Sequence, residues 1–223
     1  MRRVLLMVCA LAVASNAAAQ EDAQRWFAGG MFGVSTLSAD GRSVTSGSEA
    51  AISLYKPENG PALNLFAGYH LHRFFSVQAN YLWNRNDLTL LSSFLTPTAG
   101  GFYEQQRRSA QHIFVADTLV YFRRFGSGIR PYLGTGLCLI RFASREVVRT
   151  TSTRVIETPG EITDTGIALR SHVGIDFRLS TTVSFRYSFS EIIGRNPISR
   201  QLTPKGERGH ANFESLFGFV VQF

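Results

Sequence analysis

Phe213-Glu214-Ser215-Leu216-Phe217-Gly218-Phe219-Val220-Val221-Gln222-Phe223 is the stretch whose reading decides the fold. Taken in twos, Phe213, Ser215, Phe217, Phe219, Val221 and Phe223 share one face, and Glu214, Leu216, Gly218, Val220 and Gln222 share the other, which is the period of a strand. In water, an open edge carrying four phenylalanines on one side would template aggregation. In lipid the same face is solvated, and a neighbouring strand can close the edge. About ten residues is also the length that crosses a bilayer within a closed, tilted barrel. The stretch therefore predicts a transmembrane β-strand.

Working back along the chain, the same alternation recurs. Ala62 to Leu71 sets Leu63, Leu65, Ala67, Tyr69 and Leu71 against Asn64, Phe66, Gly68 and His70; from Phe75, Val77, Ala79, Tyr81 and Trp83 alternate with Ser76, Gln78, Asn80 and Asn84. Further strands are expected at Trp26 to Leu37, Ser109 to Phe122, Arg130 to Phe142, Gly166 to Leu179 and from Val183 to Phe189. Between them, short turns at His72-Arg73, Gly126-Ser127-Gly128 and Ser180-Thr181 alternate with long polar loops at 38–60, 86–108, 143–164 and 193–209. Eight antiparallel strands with this rhythm predict an up-and-down transmembrane barrel: short turns on the periplasmic side, long loops outside. A carboxylate facing lipid is costly, so Asp117 marks the inward face of its strand.

The other end of the chain is consistent with export. Met1-Arg2-Arg3, the apolar run Val4 to Val13 and Ala17-Ala18-Ala19 read as a signal peptide over 1–19, with the mature barrel domain at 20–223. That leaves Cys138 as the single cysteine, so no internal disulfide is expected. Mean hydropathy is +0.00, as alternation spreads apolar residues thinly through a barrel. Without Arg2 and Arg3 the net charge falls from +7 to about +5. Nucleic acid is excluded as a partner by the exported address and the lack of a clustered binding motif. A soluble ligand-carrying barrel would need the opposite facing, with the aromatic terminal strand turned inward.

A terminal Phe223 with alternating residues before it, Val221 two back and Gly218 five back, resembles the C-terminal signal of bacterial outer-membrane barrels. Arg130-Pro-Tyr-Leu-Gly-Thr-Gly-Leu and Gly174-Ile-Asp-Phe-Arg-Leu-Ser are similar to the later strands of the OmpA-like, OmpX-like and OmpW-like small barrels. The resemblance implies an outer-membrane address, a monomer, hand-over to the barrel-assembly machinery through Gly218, Val221 and Phe223, and no peptidoglycan-binding domain after the barrel. It also implies contact with outer-membrane lipid and with lipopolysaccharide, whose phosphates suit the many arginines.

An eight-stranded barrel is wide enough only for its own side chains. Asp117, Arg170, Asp176, Arg178, Arg186 and Glu214, with His70, His112 and His172, are expected inside as a compensated charge network that plugs the lumen. The expected role is structural or surface-interactive. Two alternatives are a narrow solute channel, gated by one arginine switching among Asp117, Asp176 and Glu214, and a lipid-modifying enzyme. No catalytic residue, cofactor or metal is expected. Ser190, Glu191 and His210 would form a triad only if neighbouring residues of one strand faced the same way, and His70-Leu71-His72 has no evident third ligand. Trp26, Trp83, Tyr103, Tyr121 and Tyr187 are candidates for an interfacial aromatic girdle.

Overall fold

Alternation of the kind read above can be satisfied only if every strand finds two neighbours, and the computed structural model closes it into a ring. It describes residues 25–38, 43–44, 50–56, 58–95, 100–151, 160–195 and 209–223. The expected signal peptide lies outside them. The elements are β1 (Trp26–Ser38), β2 (Ser43–Val44), β3 (Ala50–Lys56), β4 (Glu58–His72), β5 (Phe75–Leu95), β6 (Gly100–Tyr121), β7 (Ile129–Thr151), β8 (Glu161–Arg178), β9 (Val183–Arg195) and β10 (Gly209–Gln222). Strands β1 and β4 to β10 pair antiparallel in sequence; β10 returns to β1, and β1 bridges β10 and β4 to complete the barrel. A walk across the strands from Phe74 through Tyr121, Tyr132, Gly174, Ser188, Leu216, Gly33 and Ala62 comes back to β5 at Asn84, ten residues higher. That stagger tilts the strands and sets the bore.

The facing expected of each strand holds across the barrel. Leu63, Leu65, Phe114, Leu133, Leu137, Phe217 and Phe219 are exposed, whereas Asn64, Phe66, Asp117, Cys138, Glu214 and Leu216 are buried. The interior is less polar than expected, because Phe27, Met31, Leu82, Ile113, Ile192 and Leu216 are buried in it alongside the charged groups.

Much of the sequence expected as loop is strand. Strand β5 continues to Leu95, β6 starts at Gly100, β7 runs to Thr151 and β8 starts at Glu161. Residues 50–56 form β3, which pairs with Thr89 to Leu95 above the place where β4 pairs with the same strand. Above the bilayer the outer face meets water, and the inner face holds polar as well as apolar residues, among them Asn86, Leu88, Arg107 and Ser109, so the apolar alternation stops while the backbone pairing continues. Strands of 21, 22 and 23 residues are about twice the length of a span, and β5 to β7 rise as a sheet from one side of the rim.

Candidate functional site

Two glycines show how sequence makes room inside the bore. A Cβ on Gly134 would collide with the ring of His172, and one on Gly174 with the ring of Tyr132; each inward-facing glycine is the socket for a ring on the neighbouring strand.

Tyr132 belongs to the lower of two charged layers. Arg186, fully buried on β9, donates from Nε to Asp176 Oδ1 at 2.6 Å and from Nη2 to Asp176 Oδ2 at 2.7 Å, a forked pair between adjacent strands. Its Nη1 donates across the bore to Gln78 Oε1 at 2.9 Å, and its Nη2 also donates to the Tyr121 hydroxyl at 2.9 Å. The guanidinium lies 5.0 Å from the Phe66 ring centre and 4.9 Å from that of Tyr132, so aromatic faces take what the hydrogen bonds leave. Arg130, absent from the expected network, closes the layer beneath, 3.9 Å above the Tyr121 ring. Gln78 links upward: its Nε2 donates to Asn80 Oδ1 at 2.6 Å, and Asn80 Nδ2 donates to Asp117 Oδ2 at 2.9 Å.

Asp117 anchors the second layer. Arg170 Nη1 donates to Asp117 Oδ2 at 2.8 Å, and His172 Nε2 lies 3.4 Å from the same oxygen. Arg170 Nη2 donates to Ser190 Oγ at 3.3 Å; that hydroxyl donates to Glu214 Oε2 at 3.0 Å, which is itself 3.9 Å from Arg170 Nη2. Asn84 and Asn212 both donate to Glu214 Oε1 at 3.4 Å, and Ser35 donates to Asn212 across the β1–β10 seam at 2.6 Å. One hydrogen-bonded chain thus runs from the lower rim to the seam. Ion pairs stripped of water this completely need such a set of bonds to offset desolvation.

Of the residues expected in the network, Asp117, Arg170, Asp176, Arg186 and Glu214 meet in these layers. Arg178 does not. It is exposed at the end of β8, where it donates to the carbonyls of Ser180 and Gly126 at 2.9 and 2.8 Å and ties two turns together. His112 is likewise outside, bonded through Nδ1 to the Tyr81 hydroxyl at 2.7 Å; its parity follows Phe114, not Asp117. Tyr121 shares Asp117's parity and is buried in the lower layer, so it is no girdle residue. Trp26, Trp83 and Tyr187 do face outward, and the side chain of Tyr103 lies outside the described residues. Ser190 points in and Glu191 out, and the His210 side chain also lies outside the described residues. His70 is buried against Ser76, whereas His72 is exposed beyond an irregularity in the β4–β5 register. Gly218 faces the bore against the Gly30 backbone, and Val221 and Phe223 are exposed on the outer face.

The model of the outer membrane protein beta-barrel domain family matches residues 5–213. No curated protein matches. Among solved structures, Neisserial surface protein A is 14% identical, with a TM-score of 0.50 over 89% of this chain and 97% of its own. The attachment invasion locus protein Ail of Yersinia pestis is 10% identical, with a TM-score of 0.47 over 90% of this chain and 99% of its own. At such identities the first likeness speaks for the fold alone and the second carries no weight. The family match over most of the chain, the closed ring of eight strands and its lipid-facing apolar surface lead to one conclusion: the chain belongs to the outer membrane protein beta-barrel domain family, and its place is the bacterial outer membrane.

Proposed function

We propose that the protein is a non-conducting surface barrel, a rigid membrane base that holds the β5–β7 sheet outside the cell for interaction. The observation that carries this is the bore itself. Arg186 and Arg170, both fully buried, bridge strands in two successive layers, and buried apolar side chains fill more of the bore around them. An ion crossing the bore would have to break a bidentate pair in the lower layer and a second pair above it. Planar-bilayer recording tests this directly. The wild-type protein is expected to give no steady conductance, and discrete openings at ordinary voltages would overturn the plugged reading.

One feature favours a second reading, a gated narrow channel. Arg170 is bonded to Asp117 at 2.8 Å and has a second carboxylate, Glu214, at 3.9 Å, so a small movement would exchange partners. Asn64 Oδ1 and Asn84 Oδ1 are buried with no hydrogen-bond partner among the described residues and would serve permeating water. Openings that vanish in Glu214→Gln while wild type conducts would establish the channel.

A further inference from the structure

The outward face of β5 to β8 changes character abruptly at one level. Its band of large apolar side chains ends at Trp83 on β5, Phe114 on β6, Leu139 on β7 and Ile167 on β8. Above them lie three hydrogen-bonded rows: Trp83 continues into His112, Arg141 and Thr165; then Arg85, Ala110, Ala143 and Thr163; then Asp87, Arg108, Arg145 and Glu161. Two small residues, Ala110 and Ala143, are therefore surrounded by Arg85, Arg141, Arg108 and Arg145. With strands about 4.8 Å apart and about 3.3 Å of rise per residue, the four guanidiniums all reach the space above that alanine floor. Among the described residues, Arg85, Arg141 and Arg145 have no ion-pair partner, and Arg108 has only the exposed Asp87 at 3.9 Å. The opposite wall differs. There the first outward positions above the apolar band are Arg195, Ala211, Thr36 and Asn59, and Thr36 is bonded to Asn59.

Directly beneath the arginines the wall is unusually open. Ile167 is 74% exposed, Leu137 66% and Phe114 59%. Tyr81 holds the His112 ring at the boundary between the two zones. Forked cations over an apolar wall, at the height where the bilayer ends, match a molecule with phosphates at its head and acyl chains below.

We propose that Arg85, Arg108, Arg141 and Arg145 form a binding site for a phosphorylated acylated glycolipid of the outer leaflet, phosphates over Ala110 and Ala143 and acyl chains along Phe114, Leu137, Leu139 and Ile167. This rests on the outer-membrane placement and specifies one lipid partner within it.

Native mass spectrometry of the folded protein in detergent tests the site, with four probes: bisphosphorylated lipid A, the same glycolipid stripped of both phosphates, phosphatidylglycerol and inorganic phosphate. Bisphosphorylated lipid A is expected to be retained, and Arg85→Gln with Arg141→Gln is expected to weaken retention at least about tenfold. Arg123→Gln with Arg124→Gln, at the opposite rim, is expected to leave it unchanged. Equal retention of the dephosphorylated glycolipid or of phosphatidylglycerol, displacement by inorganic phosphate, or full retention by the Arg85/Arg141 variant would each overturn the site. Heat-modifiable gel mobility confirms that each variant is folded; should that pair fail, Ala110→Glu, a carboxylate set on the floor, carries the same expectation. Fractionation of the wild type separates the two levels: absence from the outer membrane removes the placement, whereas presence there without lipid A retention removes only the site.

Discussion

Arg186 shows what one residue can do in an eight-stranded bore. Removing it leaves Asp176 buried and uncompensated, together with orphaned bonds from Gln78 and Tyr121. Arg186→Ala is therefore expected to destabilise the folded barrel by about 3–5 kcal/mol in denaturant titration in detergent. Replacing both partners, Arg186→Leu with Asp176→Leu, is expected to recover much of that loss, because the cost lies in the unpaired charge. At the socket of His172, Gly134→Val has no free volume to occupy, so His172 must swing away from Asp117. A destabilisation of about 1–3 kcal/mol is expected, measured in the same way. The facing of Asp117, Asp176 and Glu214 was legible from alternation alone. The partners were not: that Gln78 and Asn80 link two layers, or that Arg186 on β9 reaches the Tyr121 hydroxyl on β6, depends on the stagger of the ring, and no single strand carries that information.

For the elements, periodicity marked where strands cross lipid and failed where they leave it. Residues 86–95 and 100–108 have no apolar alternation, yet they remain paired from Asn86↔Ser109 to Leu95↔Gly100. Lipid enforces the pattern only within about 25 Å, and beyond that the outer face turns polar while the buried inner face takes Asn86, Leu88, Arg107 and Ser109 together. Cysteines introduced as Asp87→Cys and Arg108→Cys, in a Cys138→Ala background, are thus expected to form an intramolecular disulfide on mild oxidation of folded protein. A flexible loop at this position would give slow and incomplete cross-linking.

At the largest scale, the described residues form a closed bore with a tall sheet on one side of its rim. Because β8, β9 and β10 begin or end lower than β7, Val147 and Val148 on the upper part of β7 are exposed. The sequence indicated which end faces outward through the rhythm of short and long connections, but not that β5, β6 and β7 run on above the bilayer as a paired sheet. Surface proteolysis of whole cells is expected to cut the β5–β7 side while leaving the barrel as a protected fragment, and complete digestion would contradict a membrane-embedded base.

The hydrogen-bonded chain through the bore also has a consequence in time. Its decisive contacts span large separations: Gln78 to Arg186 are 108 residues apart, Asn84 to Glu214 130, and Ser35 to Asn212 177. None of these can form while the sheet is still an open, inserting ribbon, since each requires strands that meet only once β10 has reached β1. The network is therefore a latch that engages last, absent from the folding transition state. Interactions of that kind leave the rate of assembly nearly untouched and slow the rate of escape, so the interior chiefly determines how long an inserted barrel lasts.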